Sequence, residues 1–247
     1  METLSIPLLL SLATAIISGA FALLVLRRWW TRRKPHHLAW GIGLVMFFLG
    51  ALSQVVLTQV WSPLFFGLWY WSGALMVAPW LGQGSVYLLV RRGNIARYLQ
   101  MLLLLISIMT LPWALFLTPF NPEAWRPNMD MASLINDIMQ RGGVRAFSPV
   151  MNVWGTVALA GGAIYSARLF RRKQIMQNRM VGNWLIAAGG LLPALGGVLI
   201  RLELPELKYI AELLGVILIF IGYRIATNIP EEVEARRHGA AARPVQG

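Results

Sequence analysis

The chain has 247 residues, of which 57% are hydrophobic and only 13% are charged, and its formal net charge is +12. Soluble domains carry charged residues at about a quarter of their positions, so this composition excludes an ordinary water-soluble fold. The chain has no cysteine, which excludes disulfides, thiolate metal sites and cysteine nucleophiles. Its three histidines, His36, His37 and His238, lie outside the apolar stretches, so we expect no haem or other cofactor between helices.

Seven apolar segments follow one another along the chain, and each is long enough to cross the roughly 30 Å hydrocarbon layer as a helix. They cover about residues 4–26, 38–59, 67–90, 98–118, 149–169, 181–201 and 208–226. Most connections between them are short, so consecutive helices should be antiparallel neighbours in one bundle. We therefore predict an all-α, seven-helix transmembrane domain over residues 1–229 and a short disordered tail at 230–247.

Lysine and arginine are distributed unevenly between the two sides of this bundle. Seventeen lie in the linkers after the first, third and fifth segments and in the tail: Arg27, Arg28, Arg32, Arg33, Lys34, Arg91, Arg92, Arg97, Arg168, Arg171, Arg172, Lys173, Arg179, Arg224, Arg236, Arg237 and Arg243. The other side has five: Arg126, Arg141, Arg145, Arg201 and Lys208. Because cytoplasmic loops carry the basic excess, the N-terminus is predicted outside and the C-terminus inside. We expect a bacterial cytoplasmic (inner) membrane, with these loops on anionic lipid headgroups and no nucleic-acid partner.

The longest connection, from Thr118 to Ser148 on the outer side, contains an amphipathic stretch. Over residues 130–140 the apolar side chains fill one helical arc, and the polar side chains fill the opposite arc. This pattern predicts a short helix whose apolar arc faces inward. Such a helix lies either on the bundle or lipid surface at the interface, or over a pocket as a lid.

Gln83, in the third segment, is the deepest polar side chain in the predicted spans, roughly 12 Å from the cytoplasmic boundary. Pro79, Gly82 and Gly84 surround it and predict a helix break, because proline has no N–H to donate along the helix. Interrupted helices line binding sites in transporters. The alternative is that Gln83 hydrogen-bonds to a neighbouring helix and that Pro79 only kinks its own helix.

Glu212 is the only acidic residue well inside a predicted span, where an unpaired carboxylate is costly. Arg201, at the outer end of the preceding segment, is its predicted partner in a structural ion pair. The alternative is a proton- or solute-binding role, in which Glu212 faces a polar cavity together with Gln83 or Gln54. These three residues, Gln83, Glu212 and Gln54, are the candidate ligand-binding residues, and we predict no catalytic and no metal-binding residue.

The predicted topology matches that of two known families, and the position of the lysines excludes the first of them. Microbial rhodopsins bind retinal through a lysine in the middle of the last helix, whereas Lys208 lies at the outer edge of that segment. Trp40 and Trp184 each follow a basic loop, and Tyr70 and Tyr209 each open the next segment. In topology the chain resembles the small sugar and amino-acid transporters built as three helices, one linker helix and three helices. It lacks the Pro-Gln pair that those transporters carry.

Two classes of function follow from these patterns. The first is a non-enzymatic sensing module, or an accessory and scaffold module, that acts on a protein partner or a small ligand through its basic cytoplasmic loops. The alternative is a small-solute or proton-coupled transporter with a site at the membrane midplane. An enzyme is disfavoured, because the spans lack the clustered His, Asp or Cys residues that acid–base or metal chemistry requires.

Overall fold

A computed structural model of the chain describes residues 5–90, 93–173, 177–202 and 204–227. Within these ranges the chain is almost entirely helical, and its only extended pairing is an isolated bridge between Phe120 and Met139. The all-α class predicted from the apolar segments is therefore confirmed. The predicted disordered tail, residues 230–247, lies outside the described residues.

The helices follow one another with few interruptions. The first four are α1 (Ile6–Arg32), α2 (Pro35–Leu57), α3 (Pro63–Leu89) and α4 (Ile95–Leu117). A short helix, α5 (Met131–Ile138), lies in the loop that follows, and α6 (Gly143–Arg172) comes after it. The last three described helices are α7 (Gln177–Leu191), α8 (Gly196–Arg201) and α9 (Pro205–Thr227).

In the described part of the chain, six helices are long and apolar enough to cross a membrane: α1, α2, α3, α4, α6 and α9. The segment at 181–201, drawn from sequence as one span, is divided. Helix α7 ends at Leu191, a 3-10 turn occupies Pro193–Leu195, and α8 begins at Gly196. Pro193 accounts for the division, because proline lacks the N–H of a helical hydrogen bond and its ring collides with the preceding turn.

The long helices form a ring with one helix outside it. Helix α1 packs against α2 and α9, α2 against α3, α3 against α6, α6 against α7, and α7 against α9. Helix α4 lies against α3, where it accepts hydrogen bonds from two tryptophans. Trp80 Nε1 donates to Ser107 Oγ over 3.1 Å, and Trp71 Nε1 donates to the Thr110 hydroxyl over 3.2 Å.

Helix α3 continues through Pro79, Gly82 and Gly84, so it has no break at these three residues. Its irregular part lies before them. A π-helical segment, Trp69–Met76, precedes Pro79, and regular α-helix runs from Val77 to Leu89. The wider π turns absorb the proline without interrupting the helix. The two glycines instead allow close packing. A Cβ atom on Gly84 would lie 2.2 Å from Trp40 Cδ1, and one on Gly82 would lie 2.8 Å from the Gly155 carbonyl oxygen.

The loop that carries α5 folds back over the ends of α2 and α3. Trp125 Nε1 donates to the Leu57 carbonyl over 2.9 Å, and the Asn128 N–H donates to the Thr58 carbonyl over 2.9 Å. Helix α5 buries Met131, Leu134 and Ile138 in the same apolar cluster as the first turns of α3. The apolar arc of this helix therefore faces the bundle.

Candidate functional site

A cavity of about 750 Å³ lies inside the ring of helices. Residues of α1, α2, α3, α6, α7, α8 and α9 line it, and α5 contributes Ala132 and Ile135. The lining residues found in the described part of the chain include none from α4. Small-molecule sites in proteins have volumes of about 300–1,000 Å³ and occur between the helices of bundles, so this cavity is the candidate functional site.

Most of the cavity wall is apolar. Its aliphatic and aromatic side chains include Leu44, Phe47, Val77, Leu81, Val157, Leu159, Val216 and Ile219. They come from four helices, and several also belong to the core in which α1, α2, α3, α6 and α9 meet. This part of the cavity favours the apolar body of a ligand.

Polar side chains are concentrated at the end of the cavity that adjoins α5. They are Gln54, Tyr70, Arg145, Ser148, Asn152, Lys208 and Glu212. Each of them lies in the part of its helix that is nearest to the α5 loop. The helices are antiparallel, so these parts meet on one side of the bundle. We refer to these seven residues as the polar end of the cavity.

Lys208 is the centre of an ion cluster at the polar end. Its Nζ lies 2.7 Å from Asp130 Oδ1 and 3.1 Å from Glu212 Oε1. Asp130 Oδ2 accepts a hydrogen bond from the Ser133 N–H over 3.0 Å, so Asp130 also caps the N-terminus of α5. The side chains of Lys208 and Asp130 are 8% and 1% exposed, whereas that of Glu212 is 23% exposed. Because Glu212 lines the cavity, its carboxylate is the accessible member of the cluster.

Three hydrogen bonds fix the helices around the polar end. Trp69 Nε1 donates to Gln54 Oε1 over 3.1 Å and joins α3 to α2. The hydroxyls of Tyr70 and Ser148 lie 2.5 Å apart and join α3 to α6. Asn152 Nδ2 donates to the Ala74 carbonyl over 2.7 Å and joins the same two helices. The positions of these side chains are thus set by contacts between helices.

Arg145 holds the other end of α5. Its guanidinium donates to the Met139 carbonyl over 2.6 Å and to Asn136 Oδ1 over 2.9 Å. The last carbonyls of a helix lack intrahelical donors and carry partial negative charge, so a cation there is stabilising. With Asp130 bound to Lys208 and the opposite end bound to Arg145, α5 is held over the polar end as a lid.

The structure brings together two of the three predicted ligand-binding residues. Gln54 and Glu212 both line the cavity. Gln83 lies elsewhere, fully buried, with Nε2 donating to the Ala96 carbonyl of α4 over 2.6 Å. That contact corresponds to the alternative in which Gln83 joins neighbouring helices. The side chain of Arg201 lies outside what the structure describes, so its pairing with Glu212 stays a prediction.

Sequence reasoning missed the two residues that pair with each other in the cluster, Lys208 and Asp130. Lys208 precedes Glu212 by four residues, a spacing that places two side chains on one helical face, so a local signal was present. Asp130 is 78 residues away from Lys208 in sequence and carries no comparable signal. Only the return of the α5 loop to the start of α9 brings the two together.

The six apolar helices make this chain a multi-pass membrane protein. No protein family, curated protein or solved structure matches it. The cavity, its polar end and the lid are therefore the features that bear on its function.

Proposed function

We propose that this chain is a non-enzymatic, ligand-sensing protein of the cytoplasmic membrane, and that a small molecule binds in the cavity inside the helix ring. The observation that carries the proposal is the cavity of about 750 Å³, with an apolar wall and one polar end. Binding sites for small molecules combine an apolar lining with a few placed polar groups. A purely structural accessory bundle has no need of such a space.

The proposed topology has seven spans, with the N-terminus outside and the C-terminus in the cytoplasm. Helix α7, the turn at Pro193 and α8 together supply the sixth span in the divided segment. The excess of lysine and arginine where α1 meets α2, α3 meets α4 and α6 meets α7 supports the orientation. In this orientation the lid covers the outer end of the cavity, and the basic loops meet anionic lipid or a protein partner on the inner side.

The ion cluster offers a way for a bound ligand to be sensed. Lys208 contacts both Glu212, in the cavity wall, and Asp130, at the start of the lid. A ligand that competes for Glu212 changes the contacts of Lys208 and with them the attachment of α5. A ligand shifts a conformational equilibrium only through different contacts in the two states, and this cluster supplies such a difference.

Cavity binding can be tested by thermal unfolding of the purified full chain with three probes of one shape: phenethylamine, phenylacetate and phenethyl alcohol. We expect at least one probe to raise the melting temperature by about a few degrees, because a ligand that binds only the folded state stabilises it. Val77→Trp fills the cavity and should abolish the shift. The matched control Ile108→Trp, on an exposed position of α4, should retain it. No shift with any probe, or equal shifts in both variants, would contradict binding in the cavity.

A second candidate function is transport of a small solute, which the helix arrangement favours. Six segments enclose the cavity and α4 lies outside, so α4 separates α1–α3 from α6–α9 as a linker helix would.

Because the chain has no cysteine, a single Thr156→Cys reports access to the cavity without background, and Ile108→Cys is the control. If the protein is a sensor, a membrane-impermeant maleimide should label the Thr156→Cys thiol from the outer side alone. A transporter predicts labelling in both right-side-out and inside-out vesicles.

A further inference from the structure

We infer that the ligand of the cavity is an organic cation, whose charged group pairs with Glu212 while its apolar body lies against the cavity wall. The inference rests on the proposed ligand-binding function and specifies the chemical class of the ligand. It follows from the contacts that each charged side chain of the cluster already makes.

The two cations at the polar end are engaged by the protein itself. Lys208 lies between two carboxylates and is almost completely buried, so its charge is already compensated. The guanidinium of Arg145 is bound by the Met139 carbonyl and by Asn136 Oδ1 at the end of α5. An anionic ligand would therefore compete with these partners for the two cations.

Of the two carboxylates, one is engaged on both oxygens and the other is not. Asp130 uses Oδ1 for Lys208 and Oδ2 for the Ser133 N–H, and its side chain is 1% exposed. Glu212 contacts Lys208 through Oε1, and no described residue pairs with Oε2. Its side chain is 23% exposed, although the residue lies two turns inside α9 and lines the cavity. Glu212 thus presents a carboxylate oxygen to the ligand.

The charge of the cluster also favours a cation. When both carboxylates are ionised, Asp130, Lys208 and Glu212 together carry one excess negative charge at a depth where charged groups are costly unless they are paired. A positively charged group beside Glu212 neutralises this excess. Trp69 and Tyr70 line the same end, and aromatic rings favour a neighbouring cation.

A pair of probes with one shape and opposite charge tests the inference: tetraphenylphosphonium and tetraphenylborate. Binding of each radiolabelled ion to the purified full chain is measured by equilibrium dialysis against protein-free detergent. We expect saturable binding of tetraphenylphosphonium and none of tetraphenylborate. Glu212→Gln should weaken cation binding by about tenfold or more, because the ion pair is lost from a poorly solvated site. The matched control Asp137→Asn, at an exposed carboxylate of the lid helix, should bind like the native protein.

Three results would overturn the inference. The first is saturable binding of tetraphenylborate that Arg145→Gln abolishes, which would make the cavity an anion site. The second is cation binding that is equal in the native protein and in Glu212→Gln. The third is an absence of cation binding, which is the result expected if Arg201 neutralises Glu212. The proposed function survives each result as long as one uncharged or anionic probe still stabilises the native protein and not Val77→Trp.

Discussion

Lys208 connects the lid to the wall of the cavity, and its removal should have the largest effect of any single charge change at this end. Lys208→Met keeps the length of the side chain but leaves Asp130 buried without a cation. Breaking one partner of a buried ion pair costs about 3–5 kcal/mol, so we expect a clear fall in the melting temperature. Arg141→Met, which removes a positive charge from an exposed loop position, should leave the melting temperature nearly unchanged.

The same melting series separates the roles of the three charged groups. Adding Asp130→Asn to Lys208→Met should recover part of the loss, because asparagine still caps α5 and carries no charge. Glu212→Gln alone should cost about 1 kcal/mol or less, since Lys208 keeps its closer partner Asp130. A large loss in Glu212→Gln, reversed by joint replacement of Arg201 and Glu212 with leucine, would instead favour the ion pair predicted from sequence. If Lys208→Met melts like the native protein, the role assigned to Lys208 is wrong.

The candidate site could be predicted from sequence in part. The depth of Glu212 follows from counting residues along an apolar segment, and that depth predicts either a structural ion pair or a ligand-binding role for its carboxylate. The direction in which a side chain points around the helix axis does not follow, because an almost wholly apolar span has no polar face that sets its rotation. For this reason the sequence pattern groups Gln83 with Glu212 although the Gln83 side chain faces α4, and it identifies Lys208 only as a basic residue of the outer side.

At the scale of single elements, α5 was the most predictable feature outside the long helices. Its strict separation of apolar and polar arcs predicted both a helix and the face that it buries, and Leu134 and Ile138 are 9% and 2% exposed. The irregular helices were less predictable. Proline and glycine in α3 signalled a break, but the structure places a π segment before Pro79 and uses Gly82 and Gly84 for close contacts. Whether such residues break a helix depends on the neighbouring helix, which the local sequence does not specify.

The lid helix should depend on its buried face for its position. Ile138→Ala removes a buried side chain from the contact between α5 and the bundle, a change that costs about 2–5 kcal/mol in well-packed cores. We expect a protease added to right-side-out vesicles to cleave the 118–146 loop of this variant faster than that of the native protein. We also expect the variant to have a lower melting temperature. Asp137→Ala, one residue away on the exposed face, is the matched control and should resist proteolysis like the native protein. Equal cleavage rates in the two variants would show that α5 is not held by its apolar arc.

For the whole molecule, hydropathy alone predicted where most of the helices lie. The starts and ends of the predicted spans differ from those of the helices by a few residues, because helices such as α1 continue beyond the apolar stretch into the basic Arg27–Arg32 region. The order of packing could not be predicted. A chain of seven similar apolar segments does not specify that α4 stands outside a ring formed by the others, since that choice depends on contacts such as those of Trp71 and Trp80 with α4.

Orientation in the membrane is the property of the whole molecule that the charge distribution predicts. Seventeen lysines and arginines lie on one side of the bundle, at the C-terminal ends of α1, α3, α6 and α9 and in the sequence that follows each of these ends, and five lie on the opposite side. Basic residues near span ends stay in the cytoplasm, so a reporter fused after Gly247 should be active there, and one inserted near Asn121 should be active only outside. An insertion at Gly93, in the turn between α3 and α4, is the matched internal control and should report the cytoplasm. If the reporter at Asn121 is active in the cytoplasm and the one at Gly93 is active outside, the lid lies on the cytoplasmic side. The ligand would then enter the cavity from the cytoplasm. The same side for Asn121 and Gly247 would mean that the divided segment of α7 and α8 does not cross the membrane.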